Sequence, residues 1–171
     1  MNPLSEYIIP ISGIKNGLHE FNYKIDINFL HHFEYKDLLD INANAKINFL
    51  KNNRIFDIEI HINGSVLSEC DRCIDEMTID VDFIHHIVVK LENGVSDEDD
   101  LILLPESSTE IDLAPYVYEA IIFSLPMKRI HSNDSNGNSL CNKEMIERLN
   151  KYLIQEPATD PRWDTLKKLL N

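Results

Sequence analysis

The sequence predicts an α+β fold: an antiparallel sheet, bent or partly barrel-like, packed by C-terminal helices. Apolar residues alternate with polar ones over most of the first hundred or so residues, as in half-buried strands. From about residue 110 the apolar spacing changes to that of helices. A third observation sets the scale: 171 residues, 43% hydrophobic and 26% charged, suit one domain with a real core. We therefore expect a single domain over residues 1–171, mainly strands to about residue 104 and mainly helices from about residue 110.

The elements follow in order. "FNYKIDINF" puts Phe21, Tyr23, Ile25, Ile27 and Phe29 on one face of a strand. "INANAKINF" does the same with Ile41, Ala43, Ala45, Ile47 and Phe49. After the turn-like "KNNR", "IFDIEIHIN" aligns Ile58, Ile60 and Ile62, with Glu59 and His61 opposite, so the pair reads as a hairpin. Gly64 is expected to break this run before a short strand around Val66 and Leu67. "SECDRCIDEM" then connects two strands, and alternation resumes at Met77, Ile79, Val81 and Phe83 and continues into "HHIVVKLE". "ENGVSDEDD" reads as a solvated acidic loop, since it lacks the alternating ligands and closing Glu of an EF-hand.

The helices carry their own signals. In "STEIDLAPYVYEAIIFSLP", Asp112 can cap a helix and Pro115 fits its first turn. Leu113, Val117, Ile121 and Phe123–Leu125 would supply its buried side, and Pro126 ends it. "MKRIHSNDSNGNSLC" is a loop. "CNKEMIERLNKYLIQ" is an amphipathic helix, capped by Asn142, with Met145, Ile146, Leu149, Tyr152 and Leu153 in one stripe. "TDPRWDTLKKLLN" predicts a last helix, with Asp160 as cap, Pro161 at the first position and Trp163, Leu166 and Leu170 on one side.

Charge and motifs narrow the function classes. The formal net charge of -13 repels bare nucleic acid and anionic membrane surfaces at long range. No apolar run approaches the roughly 20 residues that span a bilayer, and no secretory signal is visible, so a cytoplasmic protein without a membrane partner is expected. There is no Walker loop, no Gly-x-Ser-x-Gly and no His-Glu-x-x-His, and no enzyme is expected. A nuclease would need converging carboxylates. Asp97, Glu98, Asp99 and Asp100 are the candidates, on a loop that is a poor scaffold. The pairs His31–His32 and His85–His86 point in different directions and read as solvent-facing or rim groups. RNA contact, if any, would be sought at Lys128, Arg129, His131, Lys143, Arg148, Lys167 and Lys168, whose plainer reading is solvated helix faces.

The three cysteines are too few for a disulfide framework. A Cys-x-x-Cys in a cytosolic chain points to metal or redox chemistry rather than a bridge. A redox pair would open a helix. Here strands surround Cys70 and Cys73, and the carboxylates of Glu69, Asp71, Asp75 and Glu76 would push a thiol up. A structural zinc wants four thiolate or imidazole ligands. Cys70 and Cys73 supply two, and His131 and Cys141, in the loop after Pro126, offer the others. The alternative is that the cysteines are merely small, partly buried residues.

"CDRC", "IDLAPYVYEAIIFSLPMK", a loop with His131 and Cys141, and "DPRW" with "LKKLL" stand in this order. The series resembles the YceD-like family, the large ribosomal RNA subunit accumulation proteins, from about Gly64 to the C-terminus. The resemblance implies a cytoplasmic bacterial protein needed for accumulation or processing of large-subunit (23S) ribosomal RNA, with no established catalytic residues to carry over. Many members have two Cys-x-x-Cys-like pairs, whereas this chain has His131 and then only Cys141 in the second region. One ligand set therefore remains for one structural zinc: Cys70, Cys73, His131 and Cys141, either a site rebuilt with a histidine or the remnant of a site. The expected function is a non-enzymatic ribosome-biogenesis factor that binds a pre-large-subunit particle or a ribosomal protein, because an acidic surface pairs with a basic protein. Direct RNA contact stays open. The alternatives are an RNA-processing enzyme and a structural zinc or interaction module unrelated to ribosomes.

Overall fold

The structure is a computed structural model that describes residues 4–94 and 101–152. The acidic candidates Asp97, Glu98, Asp99 and Asp100 lie outside the described residues. So do Leu153, Asp160, Pro161, Trp163, Leu166, Lys167, Lys168 and Leu170. The fold is α+β, and its contacts divide it into two units, Met1–Glu69 with Glu76–Arg129, and Cys70–Asp75 with Ile130–Asn171.

The first unit holds strands β1 (Ile8–Ile9), β2 (Gly17–Ile25), β3 (Asp40–Asn52), β4 (Ile55–Glu69), β5 (Glu76–Leu91), β6 (Leu101–Leu104) and β7 (Ile111–Asp112). It also holds helices α1 (Ile27–His31) and α2 (Ala114–Ser124). The main sheet has the order β2-β3-β4-β5-β6, and β1 pairs with β7 in a small antiparallel sheet. Strands β2 to β5 are antiparallel, while β6 joins β5 in parallel with Val88 opposite Leu101. The sheet is thus mixed, and it is open rather than closed into a barrel. A four-residue run such as Leu101–Leu104 carries no signal of its direction, so the sequence could not separate the two pairings.

Alternation explains the rest of the sheet. Ile41, Ala43, Ala45, Ile47 and Phe49 of β3 lie on one face with Phe56, Ile58, Ile60, Ile62 and Val66 of β4, in a register that sets Ile47 opposite Ile60. Helix α2 packs on β4 and β5, burying Val117, Ala120 and Ile121 completely, along with its N-cap residue Leu113. Each large apolar side chain removed from water contributes about 1.5–3 kcal/mol, so this layer dominates the unit's stability. At one end, Tyr7 stacks on Tyr23 with ring centroids 4.5 Å apart and lies 5.1 Å from Phe29.

Four expectations need correction. Ile27 and Phe29 belong to α1, not to a strand. The Asp26 carboxylate accepts hydrogen bonds from the backbone N–H of Asn28 (3.0 Å) and Phe29 (3.3 Å), and this N-cap ends β2. Gly64 does not break β4, which runs through it opposite Ala43. A Cβ at Gly64 would lie 2.5 Å from the Ala43 Cα, so the glycine serves a close backbone approach. Phe123 is not buried but 54% exposed on the last turn of α2. Pro115 sits in the first turn as expected, but the N-cap is Leu113, and Asp112 is one residue earlier, at the end of β7. The Asp112 carboxylate accepts the Ala114 N–H at 3.0 Å, and the helix closes with the Leu125 N–H donating to the Ile122 carbonyl before Pro126.

The second unit holds the Cys70–Asp75 turn, a loop and helix α3 (Lys143–Tyr152). The Asn142 side chain caps α3 by accepting the N–H of Glu144 and Met145. The stripe of Met145, Ile146, Leu149 and Tyr152 forms as expected, but none of it is buried. No helix among the described residues is long and apolar enough to cross a membrane.

Candidate metal centre

The cysteine turn starts where β4 ends. The Cys70 N–H donates to the Asp75 carbonyl and the Ile74 N–H donates back to the Cys70 carbonyl, both at 2.9 Å. Ile74 closes the turn in the left-handed region, at φ 66. The facing loop is shaped by Asp134. Its carboxylate accepts the N–H of Asn136 (2.9 Å) and Asn138 (2.8 Å) and the Asn138 side-chain amide (3.1 Å), bonds that hold it below the usual carboxylate value. Gly137 supplies the left-handed residue that the loop needs, at φ 86. The Leu140 N–H then reaches the Ser132 carbonyl, which brings the two ends of the loop together at His131 and Cys141.

The turn and the loop bring all four sequence-predicted ligands into one cluster, with their donor atoms within 4.8 Å of one another. The sulfurs of Cys70 and Cys141 are 3.8 Å apart, and the Cys73 sulfur is 3.4 Å from His131 Nδ1. A tetrahedron with Zn–S of about 2.3 Å and Zn–N of about 2.0 Å needs S–S of about 3.8 Å and S–N of about 3.6 Å. The pairs thus already stand near zinc-ligand spacing. A disulfide would need about 2.05 Å, and the cysteines are free.

Convergence of four donor atoms, His131 among them, distinguishes this cluster from three incidental cysteines, which are commonly buried too. Cys70, Cys73 and Cys141 are 1%, 1% and 4% exposed. Among the described residues of the second unit they are the only buried ones. A metal cross-link at this point would tie the turn to the loop. The donor set therefore fits a closed, four-coordinate zinc.

The thiols are tuned unequally. Burial pushes Cys70 up, but backbone N–H groups of His131, Arg72 and Cys73 and the Cys73 thiol outweigh it and bring Cys70 down to about 6. Burial raises Cys73, and the neighbouring Cys70 and Cys141 thiols add to it. The flanking carboxylates predict raised thiols in the turn. For Cys70 the backbone amides decide instead, and they cannot be counted from side-chain identities. A thiolate at Cys70 is the form that a metal requires.

The other candidates separate. Lys128 and Arg129 belong to the first unit, whereas His131, Lys143 and Arg148 belong to the second. Arg129 donates to the Asp37 carbonyl, and Arg148 pairs with Glu144 on α3. His86 is a surface group 3.2 Å from Glu59, as a rim histidine should be. His85 is not. It lies on the core face of β5, with Nε2 3.7 Å from Glu119 of α2, where the alternation of Ile79, Val81 and Phe83 continues through it to Ile87.

The molecule is therefore an α+β protein whose second unit is built around a Cys3His cluster. A family model described as "Large ribosomal RNA subunit accumulation protein YceD" matches residues 58–170, about two thirds of the chain, and the chain belongs to that family. The match includes all four cluster residues. No curated protein and no solved structure matches it significantly.

Proposed function

We propose that this chain is a non-enzymatic, cytoplasmic factor in ribosome biogenesis. It supports accumulation of 23S ribosomal RNA by binding a pre-large-subunit particle or a basic ribosomal protein. The observation that carries the reading is the family match over residues 58–170, whose description names large-subunit RNA accumulation. The net charge of -13 supports a basic protein as the direct contact rather than bare RNA. Residues 1–171 act together in this reading as one YceD-like domain.

Cys70, Cys73, His131 and Cys141 are the residues that hold one structural zinc. Bound there, zinc would supply a cross-link and no open position for water, so its contribution is stability of the second unit, not hydrolysis. The three thiols and the imidazole would orient the Cys70–Asp75 turn and the loop before α3 around one point.

The test is genetic and biochemical. A strain lacking the chain is expected to accumulate 23S precursors and lose mature large-subunit RNA, with both restored by the wild-type gene. Unchanged RNA levels would refute the reading. Purified protein should leave 23S precursor RNA intact, and cleavage would favour the RNA-processing enzyme instead.

A further inference from the structure

Strand β5 spans Glu76–Leu91, but β6 pairs only with Val88–Leu91. Among the described residues, no strand pairs with the outer side of Glu76–Ile87. Half of the backbone N–H and C=O groups along such an edge point outward and are available to another chain. The other sheet edge, β2, is shorter, at Gly17–Ile25.

The two faces flanking this edge differ sharply. On the core face, Ile79, Phe83 and His85 are only half-buried, while Ile60, Ile62 and Val66 opposite them on β4 are sealed. Exposed Phe123 of α2 stands over that face, edge-on to Phe83 at 6.4 Å and to His85 at 5.6 Å. The core therefore ends at β5 with apolar surface still open. The other face carries Glu76, Thr78, Asp80 and Asp82, followed by exposed Ile84 and His86, with Glu69 opposite Glu76 across the β4–β5 pair. Asp82 pairs with His61 of β4 at 2.6 Å yet keeps 71% of its side chain exposed, and Asp80 stands opposite the uncharged Ser65, so both carboxylates can still meet a cation.

We propose that the open edge of β5 is a docking site for a basic, extended polypeptide segment that adds to the sheet as a further strand. Its backbone would complete the ladder of Glu76–Ile87. Alternate apolar side chains would lie on Ile79, Phe83 and Phe123, and the intervening Lys or Arg side chains would meet Asp80 and Asp82. A second copy of this chain is a poor occupant, because edge-to-edge pairing would set the two carboxylate rows against each other. The proposal deepens the reading above by giving the form of the basic protein contact, and it can be tested without ribosomes.

The probe is a synthetic peptide of about ten residues that alternates Lys with Val, the pattern of a strand with one charged and one apolar face. Its control has the same composition with the lysines in one block. Binding to the full-length protein is measured by calorimetry, and amide exchange is followed by residue. In the free protein, outward amides within Glu76–Ile87 should exchange fast. The alternating peptide should slow them and bind at least about tenfold tighter than the control. Asp80→Lys should weaken it by about tenfold or more without changing exchange in β3. Equal binding of the two peptides, protection elsewhere, or an edge already protected in the free protein would overturn the proposal. If the peptide binds the edge while a strain lacking the chain keeps normal RNA, the edge stands and the ribosomal reading falls. Normal rescue by Asp80→Lys together with no edge binding would give the reverse.

Discussion

Ile74 is a β-branched residue at φ 66, in the region where L-residues cost about 1–2 kcal/mol and β-branched ones are outliers. Its side chain is 61% exposed, so little burial offsets that cost. Ile74→Asn, which tolerates this conformation, should raise stability by about 1 kcal/mol, read as a higher Tm of the metal-loaded protein. A lower Tm would mean that the isoleucine packs more than its exposure indicates. The four cluster residues were legible from their type and order, because only a few chemistries need Cys-x-x-Cys followed by His and Cys. Ile74 was not, since a backbone angle leaves no mark on residue identity. The lowered Cys70 thiol was misjudged for a related reason: the sequence displays carboxylates but hides where the amides point. Cys70→Ser should abolish stoichiometric zinc in the purified protein, measured by native mass spectrometry, where the wild type should carry about one ion per chain. Zinc-free wild-type protein of undiminished stability would refute the staple.

At the scale of elements, the hairpin of β3 and β4 was readable because its alternation is long and one face is wholly buried. Helix α1 was hidden because five residues carry no period, and a single Asp26 cap outweighs the apolar alternation around it. Asp26→Ala should cost about 1 kcal/mol and speed amide exchange at Asn28 and Phe29. Gly64 looked like a strand breaker because glycine is depleted in strands, and its reason lies on the neighbouring strand. A side chain there must push Ala43 away, so Gly64→Ala should destabilise the protein by about 1–3 kcal/mol in denaturant titration. An unchanged midpoint would show that β3 and β4 can separate at that pair without loss. Helix α3 was found from its stripe, yet no described residue of the stripe is fully buried, because a hydrophobic period predicts a helix and not what covers it.

For the whole molecule, the two units differ in what their described residues bury. The first has an apolar core from Tyr7 to Ile121, and the second has, among its described residues, only its three thiols buried. Chelating the metal should therefore speed amide exchange in Cys70–Asp75 and in residues 130–152, while β3 and β4 stay protected. The acidic balance was legible from composition. It belongs to the same scale, because it selects a partner class and not a fold. The claim that unites these features is stoichiometric binding to a large-subunit precursor. The most direct measurement is sucrose-gradient sedimentation of cell lysate at low and high salt, tracking this protein and 23S precursor RNA in the same fractions. The account predicts co-migration with a pre-large-subunit particle at low salt and release at high salt. Sedimentation as a free small protein under both conditions would contradict it.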